Sequence, residues 1–71
     1  MKFELHDEYI ELFKLIKIMG LVDSGAHAKM LIEEGSVQRN QEVELRKRAK
    51  IIAGDVINVA DTIIEVVSKN Q

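Results

Sequence analysis

Apolar residues first alternate with charged ones along this chain, then recur at helical spacing, and finally crowd into short β-branched runs. Lys2 to Leu5 alternates, which predicts a short strand with Phe3 and Leu5 on its buried side. From Asp7 the period lengthens: Tyr9, Leu12, Phe13, Ile16 and Met19 recur at helical spacing, with Glu8, Glu11, Lys14 and Lys17 between them. A first helix is expected here, with Asp7 as N-cap, Glu8 and Glu11 near the positive helix end, and Gly20 as the left-handed residue closing it. Leu21 and Val22 make a short connector. Asp23 or Ser24 then caps a second helix running to about Glu34, where Gly35 ends it. Ala28, Leu31 and Ile32 form its narrow apolar stripe, and so short a connection packs the two helices as a pair.

Beyond Gly35 the helical period disappears. Val37, Val43, Leu45, Ile51, Val56, Ile57, Val59, Ile63, Ile64, Val66 and Val67 predict three or four short strands. Breaks fall at Arg39 to Glu42, at Ala53 to Asp55 and at Asp61 and Thr62, the last being the tightest hairpin. The predicted class is α+β: two packed helices on a small antiparallel sheet. With no linker, repeat or low-complexity segment, residues 1–71 read as one domain.

Composition narrows the function classes. A chain of 71 residues buries only about 60% of the surface its unfolded form exposes, so each core position counts. At 46% apolar and 31% charged it has the make-up of a folded domain rather than a disordered tail. The absence of cysteine removes disulfides and thiolate zinc sites. Glu4, Asp7 and Glu8 interrupt any leader-like apolar segment, and no run approaches the roughly 20 residues of a membrane span, so a soluble, cytoplasmic protein is expected.

The formal charge of −2 conceals a segregation. From Val37 to Lys50, five basic residues face two acidic ones, or +3, whereas the remainder carries five basic against ten acidic, or −5. A basic patch on an acidic body suits a polyanion bound at one face. In an extended segment Arg46, Arg48 and Lys50 would share one side about 7 Å apart, with Lys47 turned the other way. That spacing is comparable to successive phosphates, and arginine can grip a phosphate with two parallel donors. A basic solvated loop would carry the same residues, so a second signal is needed. The start of helix two supplies one, because Ser24, Gly25 and Ala26 leave backbone N–H groups unobstructed, with His27 and Lys29 in the same turns.

Catalysis finds little support. His6 and His27 lie on either side of helix one, no His and carboxylate spacing would hold a metal, and phosphate-loop and dinucleotide glycine patterns are missing; no cofactor is expected. Phe3, Tyr9 and Phe13, the three aromatic residues, are all assigned to the core. With stacking on rings unavailable, recognition should rest on phosphates, 2′-hydroxyls and shape, which favours folded or double-helical RNA. DNA fits less well, since helix two is short and ends in Glu33 and Glu34.

The segments Ser24-Gly25-Ala26-His27-Ala28-Lys29, Leu31-Ile32, Gly35, Val37, Asn40 and Gly54-Asp55-Val56-Ile57-Asn58-Val59 together resemble the S-four RNA-binding domain, the alpha-L motif, over roughly Leu12 to Val59. The resemblance implies two helices followed by a small bent sheet, and is greatest to small stand-alone bacterial members. Larger members append the domain to tRNA synthetases, pseudouridine synthases and ribosomal proteins, where it positions RNA without chemistry. Carried over by position, the implied RNA-facing residues are Ser24, His27, Lys29, Gln38, Arg39, Asn40, Arg46, Lys47, Arg48 and Lys50. Two departures stand out. Gly25 replaces the usual Arg after the capping Ser, a loss Arg39 could offset, and Arg39-Asn40-Gln41 replaces the common Val-Asn-Gly, which predicts a wider turn. The expected partner is structured RNA of the ribosomal or tRNA class, with ribosome association. The alternative is a protein-interaction module docking on a ribosomal or RNA-processing partner.

Overall fold

In a computed structural model, which describes residues 1–69, two helices cover one face of a five-stranded sheet. The last two positions of the expected 1–71 unit lie outside the described residues. In chain order the elements are β1 (Lys2–Leu5), β2 (Ile10–Glu11), α1 (Leu12–Ile18), α2 (Gly25–Glu33), β3 (Val37–Arg39), β4 (Glu42–Val43), β5 (Lys50–Ile51), β6 (Val56–Val59) and β7 (Thr62–Ser68). The main sheet has the order β1-β7-β6-β3-β4, and β2 pairs with β5 as a separate antiparallel ribbon.

Leu12, Leu15 and Ile16 of α1, Ala28 and Ile32 of α2, and Val37, Ile57, Val59, Ile64 and Val66 of the sheet make one buried core, which Ile51 joins from the ribbon. Strand alternation explains the choice of face: Ile57 pairs with Ile64 and both point inward, while the neighbouring Val56 and Ile63 point outward and are exposed. β1 follows the predicted alternation, with Leu5 buried and Phe3 packed against the core. It adds to β7 in parallel, so the sheet is mixed rather than wholly antiparallel. A parallel neighbour needs a long crossover, and the whole chain between β1 and β7 provides it.

Helix two is as predicted, with Ser24 as N-cap and Gly35 closing it at φ 85°. Helix one is not. It starts at Leu12, and Asp7 takes no part in capping it. Ile10 and Glu11 are instead held in the ribbon by Ile51 and Lys50. The first helical N–H groups are satisfied by backbone carbonyls from the basic loop, Leu12 to Ala49 at 3.0 Å and Phe13 to Lys47 at 3.1 Å. A tertiary contact has replaced the local cap.

Among the described residues five strands follow α2. The β6–β7 hairpin turns at Ala60 and Asp61, one residue before the expected position, with Val59 opposite Thr62. Ala60 takes the left-handed conformation at φ 53°, which spares the β-branched Thr62 and leaves it in the strand. The β3–β4 connection is also tight: Arg39 pairs directly with Glu42 across Asn40 and Gln41, at φ 51° and 74°. Two central residues of positive φ match the strand twist, so the expected widening does not occur and Gln41 bears the left-handed strain that glycine would avoid.

Candidate nucleic-acid interface

The basic run begins where β4 leaves the sheet and ends where β5 meets β2. It is not extended. Ala49 donates to the Arg46 carbonyl at 3.2 Å, closing a turn at Lys47 and Arg48. The same loop supplies the carbonyls that start α1, which fixes it against the helices. The extended alignment is therefore absent, and Arg39, Arg46, Arg48, Ala49 and Lys50 instead line one shallow depression of about 400 Å³. Lys47 turns away, and its Nζ sits 2.8 Å from Glu33 Oε1 at the end of α2.

Most of these cations are already engaged by carboxylates of the chain. Arg46 meets Glu44 through two parallel contacts, Nε to Oε2 at 3.0 Å and Nη2 to Oε1 at 3.1 Å, and its backbone N–H donates to the same carboxylate. The hydrogen bond from Arg46 holds the buried Glu44 carboxyl below its ordinary value, outweighing burial, and the pairing raises the Arg46 guanidinium in turn. The Lys47 hydrogen bond and charge likewise lower Glu33. Arg48 Nη1 lies 3.9 Å from Glu11 Oε2, and Glu11 Oε1 takes Lys14 at 3.0 Å.

Arg39 differs from its neighbours. Its Nε and Nη2 donate to Asp55 Oδ2 at 3.2 and 2.9 Å, and Nη2 also donates to the Lys50 carbonyl at 2.9 Å. Asp55 accepts further bonds from the Ile52 N–H and Asn40 Nδ2. Burial alone would raise its carboxyl, but these donors outweigh burial and hold it below 3.8. Asn40 Oδ1 in turn receives the Val56 N–H at 2.9 Å. Arg39 and Asn40 therefore tie the β3–β4 turn to β5 and β6, so the charge of Arg39 is balanced by Asp55 and does not replace what Gly25 omits.

The aromatic residues are not all in the core. Tyr9 is exposed, with Lys50 Nζ 5.1 Å from its ring centre. Phe13 is half-buried at the helix pair and gathers three cations: Lys29 Nζ at 4.7 Å, Arg48 Cζ at 5.8 Å and Lys14 Nζ at 6.0 Å from the ring centre. Gly25, the first residue of α2, lies against the same ring. The start of helix two and the basic loop thus meet around Phe13. A signal for this was available, because Leu12, Leu15 and Ile16 already fill a helical stripe and leave Phe13 at its margin.

The remaining predicted residues divide. Ser24 Oγ accepts the His27 N–H at 3.1 Å, so that hydroxyl is a cap, while the His27 side chain is exposed. Gln38 is exposed between the inward-facing Val37 and Arg39, on the sheet face opposite the helices, and is not brought to the Phe13 surface. The pairing of Glu11, Glu33 and Glu44 with the basic run is not legible in the sequence, because it is set by tertiary contacts or a loop conformation. Among the described residues, no three His, Cys, Asp or Glu side chains form a metal-binding group, and no helix is long and apolar enough to cross a membrane.

Comparison with known proteins agrees with this architecture. A family model described as an S4 domain matches residues 3–67. YbcJ of Escherichia coli (strain K12), named as a candidate RNA-binding protein, is 43% identical over 60 residues, covering 84% of this chain and 86% of YbcJ. The solution structure of E. coli YbcJ, described as revealing an alpha-L motif involved in RNA binding, superposes with a TM-score of 0.73 at 42% identity, over 93% of this chain and 85% of that one. A pseudouridylate synthase shares the fold at TM-score 0.71 and 21% identity, over 79% of this chain, which spans only 24% of the synthase.

Proposed function

The chain belongs to the S4 domain family, and on that premise we propose that it binds structured RNA, of the ribosomal or tRNA class, without catalysing a reaction on it. Phosphates would seat in the depression lined by Arg46, Arg48 and Lys50, with Lys29, His27 and Lys47 extending the contact along α2. Ser24 and Asn40 serve by holding α2 and the β3–β4 turn in place, and Arg39 by anchoring the wall of the depression. The observation that carries this reading is the meeting of Lys29 and Arg48 over Phe13, which brings two separate basic signals onto one surface.

Binding here is an exchange of partners. A phosphate that takes Arg46, Lys47 or Arg48 displaces Glu44, Glu33 or Glu11, so a ligand must offer phosphates where the cations already stand. A folded RNA can do this at fixed spacing, whereas a flexible strand would lose entropy in matching it.

The test is a titration of structured RNA, single-stranded RNA and duplex DNA at several salt concentrations. Four phosphate contacts give a slope of log K against log[salt] of about −2.8 to −3.6, at roughly 0.7 to 0.9 per contact. The Arg46→Ala, Arg48→Ala, Lys50→Ala triple variant should bind structured RNA more weakly and with a shallower slope, while its circular dichroism spectrum is unchanged. Equal binding by the triple variant, or a slope near zero, overturns the proposal.

A further inference from the structure

Two of the clefts among the described residues have an aromatic wall, and their charges differ. The larger, of about 560 Å³, borders Tyr9 but is lined by Asp7, Glu8 and Glu11, with Lys14 as its cation. Three carboxylates lining one cleft repel a polyanion. The smaller, of about 380 Å³, lies between α1 and the start of α2 and is lined by Phe13, Lys14, Lys17, Ile18 and Gly25. Its walls are apolar ring and aliphatic side chain, its rim carries two lysines, and no carboxylate lines it. Ile18 is 61% exposed although it belongs to a helix whose neighbouring Leu15 and Ile16 are fully buried.

We infer that this cleft receives one unpaired base of the bound RNA. The inference rests on the RNA-binding reading above and adds to it a stacking site that phosphate and shape contacts do not require. A base needs a flat apolar wall and a nearby cation for its own phosphate, and this cleft offers both within a volume usual for small-ligand sites, about 300–1,000 Å³. The cleft also adjoins the basic surface, because Lys29 and Arg48 stand 4.7 and 5.8 Å from the centre of the same Phe13 ring without lining the cleft. An RNA backbone held at the depression could therefore turn a neighbouring nucleotide into it.

Gly25 keeps the cleft open. A Cβ added there would stand 3.7 Å from two Phe13 ring carbons, an ordinary contact, and the φ of Gly25 is not in the left-handed range. An alanine is accommodated, and a longer side chain projects along the ring into the space a base would use. This position alters the cleft by adding bulk and leaves every cation in place.

The experiment compares two RNAs, a fully paired hairpin and the same hairpin with a single unpaired 2-aminopurine. Wild-type protein is expected to bind the second about tenfold more tightly, the ordinary worth of one base–aromatic contact. The bound 2-aminopurine should change in fluorescence and become protected from acrylamide. Gly25→Leu should bring the two affinities to within about twofold, while Gly25→Ala retains most of the preference. Equal binding of both RNAs by the wild type, or a preference that survives in folded Gly25→Leu, overturns the inference and leaves RNA binding standing. A 2-aminopurine quenched equally in free and bound RNA overturns it without any variant. Failure of the wild type to bind either RNA removes the RNA-binding reading, and the inference with it.

Discussion

Asp55→Ala removes the acceptor on which three residues, Arg39, Asn40 and Ile52, converge. Asp55 Oδ2 receives Arg39 Nε at 3.2 Å, Arg39 Nη2 at 2.9 Å and the Ile52 N–H at 2.9 Å, and Oδ1 receives Asn40 Nδ2 at 3.0 Å. The Asp55 and Arg39 side chains retain 9% and 23% of their exposure, so neither partner returns fully to water when the other is lost. An exposed ion pair is worth at most about 1 kcal/mol, whereas breaking a buried one costs about 3–5 kcal/mol. This pair lies between those limits, and the orphaned Ile52 and Asn40 donors add to the cost, so a loss of about 3 kcal/mol is expected. For 71 residues a total stability of about 4–11 kcal/mol makes that a large fraction. The melting temperature should fall by about 12–24 °C, at about 4–8 °C per kcal/mol. Urea unfolding of Asp55→Ala, Arg39→Ala and the double variant completes a cycle, in which a coupling of about 1 kcal/mol or more is expected. Additive losses, or a single loss under about 1 kcal/mol, would show that the network is a surface ornament and would refute the reasoning.

Gln41→Gly should raise stability by about 1 kcal/mol, because φ 74° costs a residue with a Cβ about that much and glycine little; an unchanged urea midpoint would count against strain at this turn. Glu33→Gln releases Lys47 from a 2.8 Å ion pair, so RNA should bind more tightly with a salt slope steeper by up to about one, while the exposed site leaves the urea midpoint where it was. Weaker RNA binding by this variant would contradict partner exchange. In acid, Asp55 and Glu44 have folded values below their ordinary 3.8 and 4.5, so near those values the unfolded chain binds more protons than the folded one. Their contribution is therefore complete above the ordinary values and is lost as pH falls through the lower folded ones. Asp55→Ala should flatten that part of the stability profile, measured by urea unfolding across the acid range.

Much of the fold was legible in residue order. Ser24 caps α2 and Gly35 ends it, because a hydroxyl that can accept an N–H and a residue free to adopt φ 85° are local properties. The β-branched second half, its breaks near Arg39 and Gly54, and the basic bias of residues 37–50 are likewise fixed by composition and spacing. Long-range contacts decided the rest. Asp7 was a plausible cap, but Ile10 and Glu11 were claimed by β5 and the helix start was satisfied by carbonyls some 35 residues away in the chain. The basic run turned rather than extended, and its cations drew carboxylates from α2, β2 and the β4 loop, pairings to which local periodicity is blind. Arg39 became an anchor because Asp55 lies beside it only once β3, β5 and β6 are assembled. Phe13 illustrates both halves: helical period put it among the apolar core positions of α1, and only the docking of α2 and the basic loop left it half-buried, with three cations and an open cleft beside it. Local sequence sets which residues can cap, turn or alternate, whereas the charges that surround a side chain depend on which distant segments pack against it.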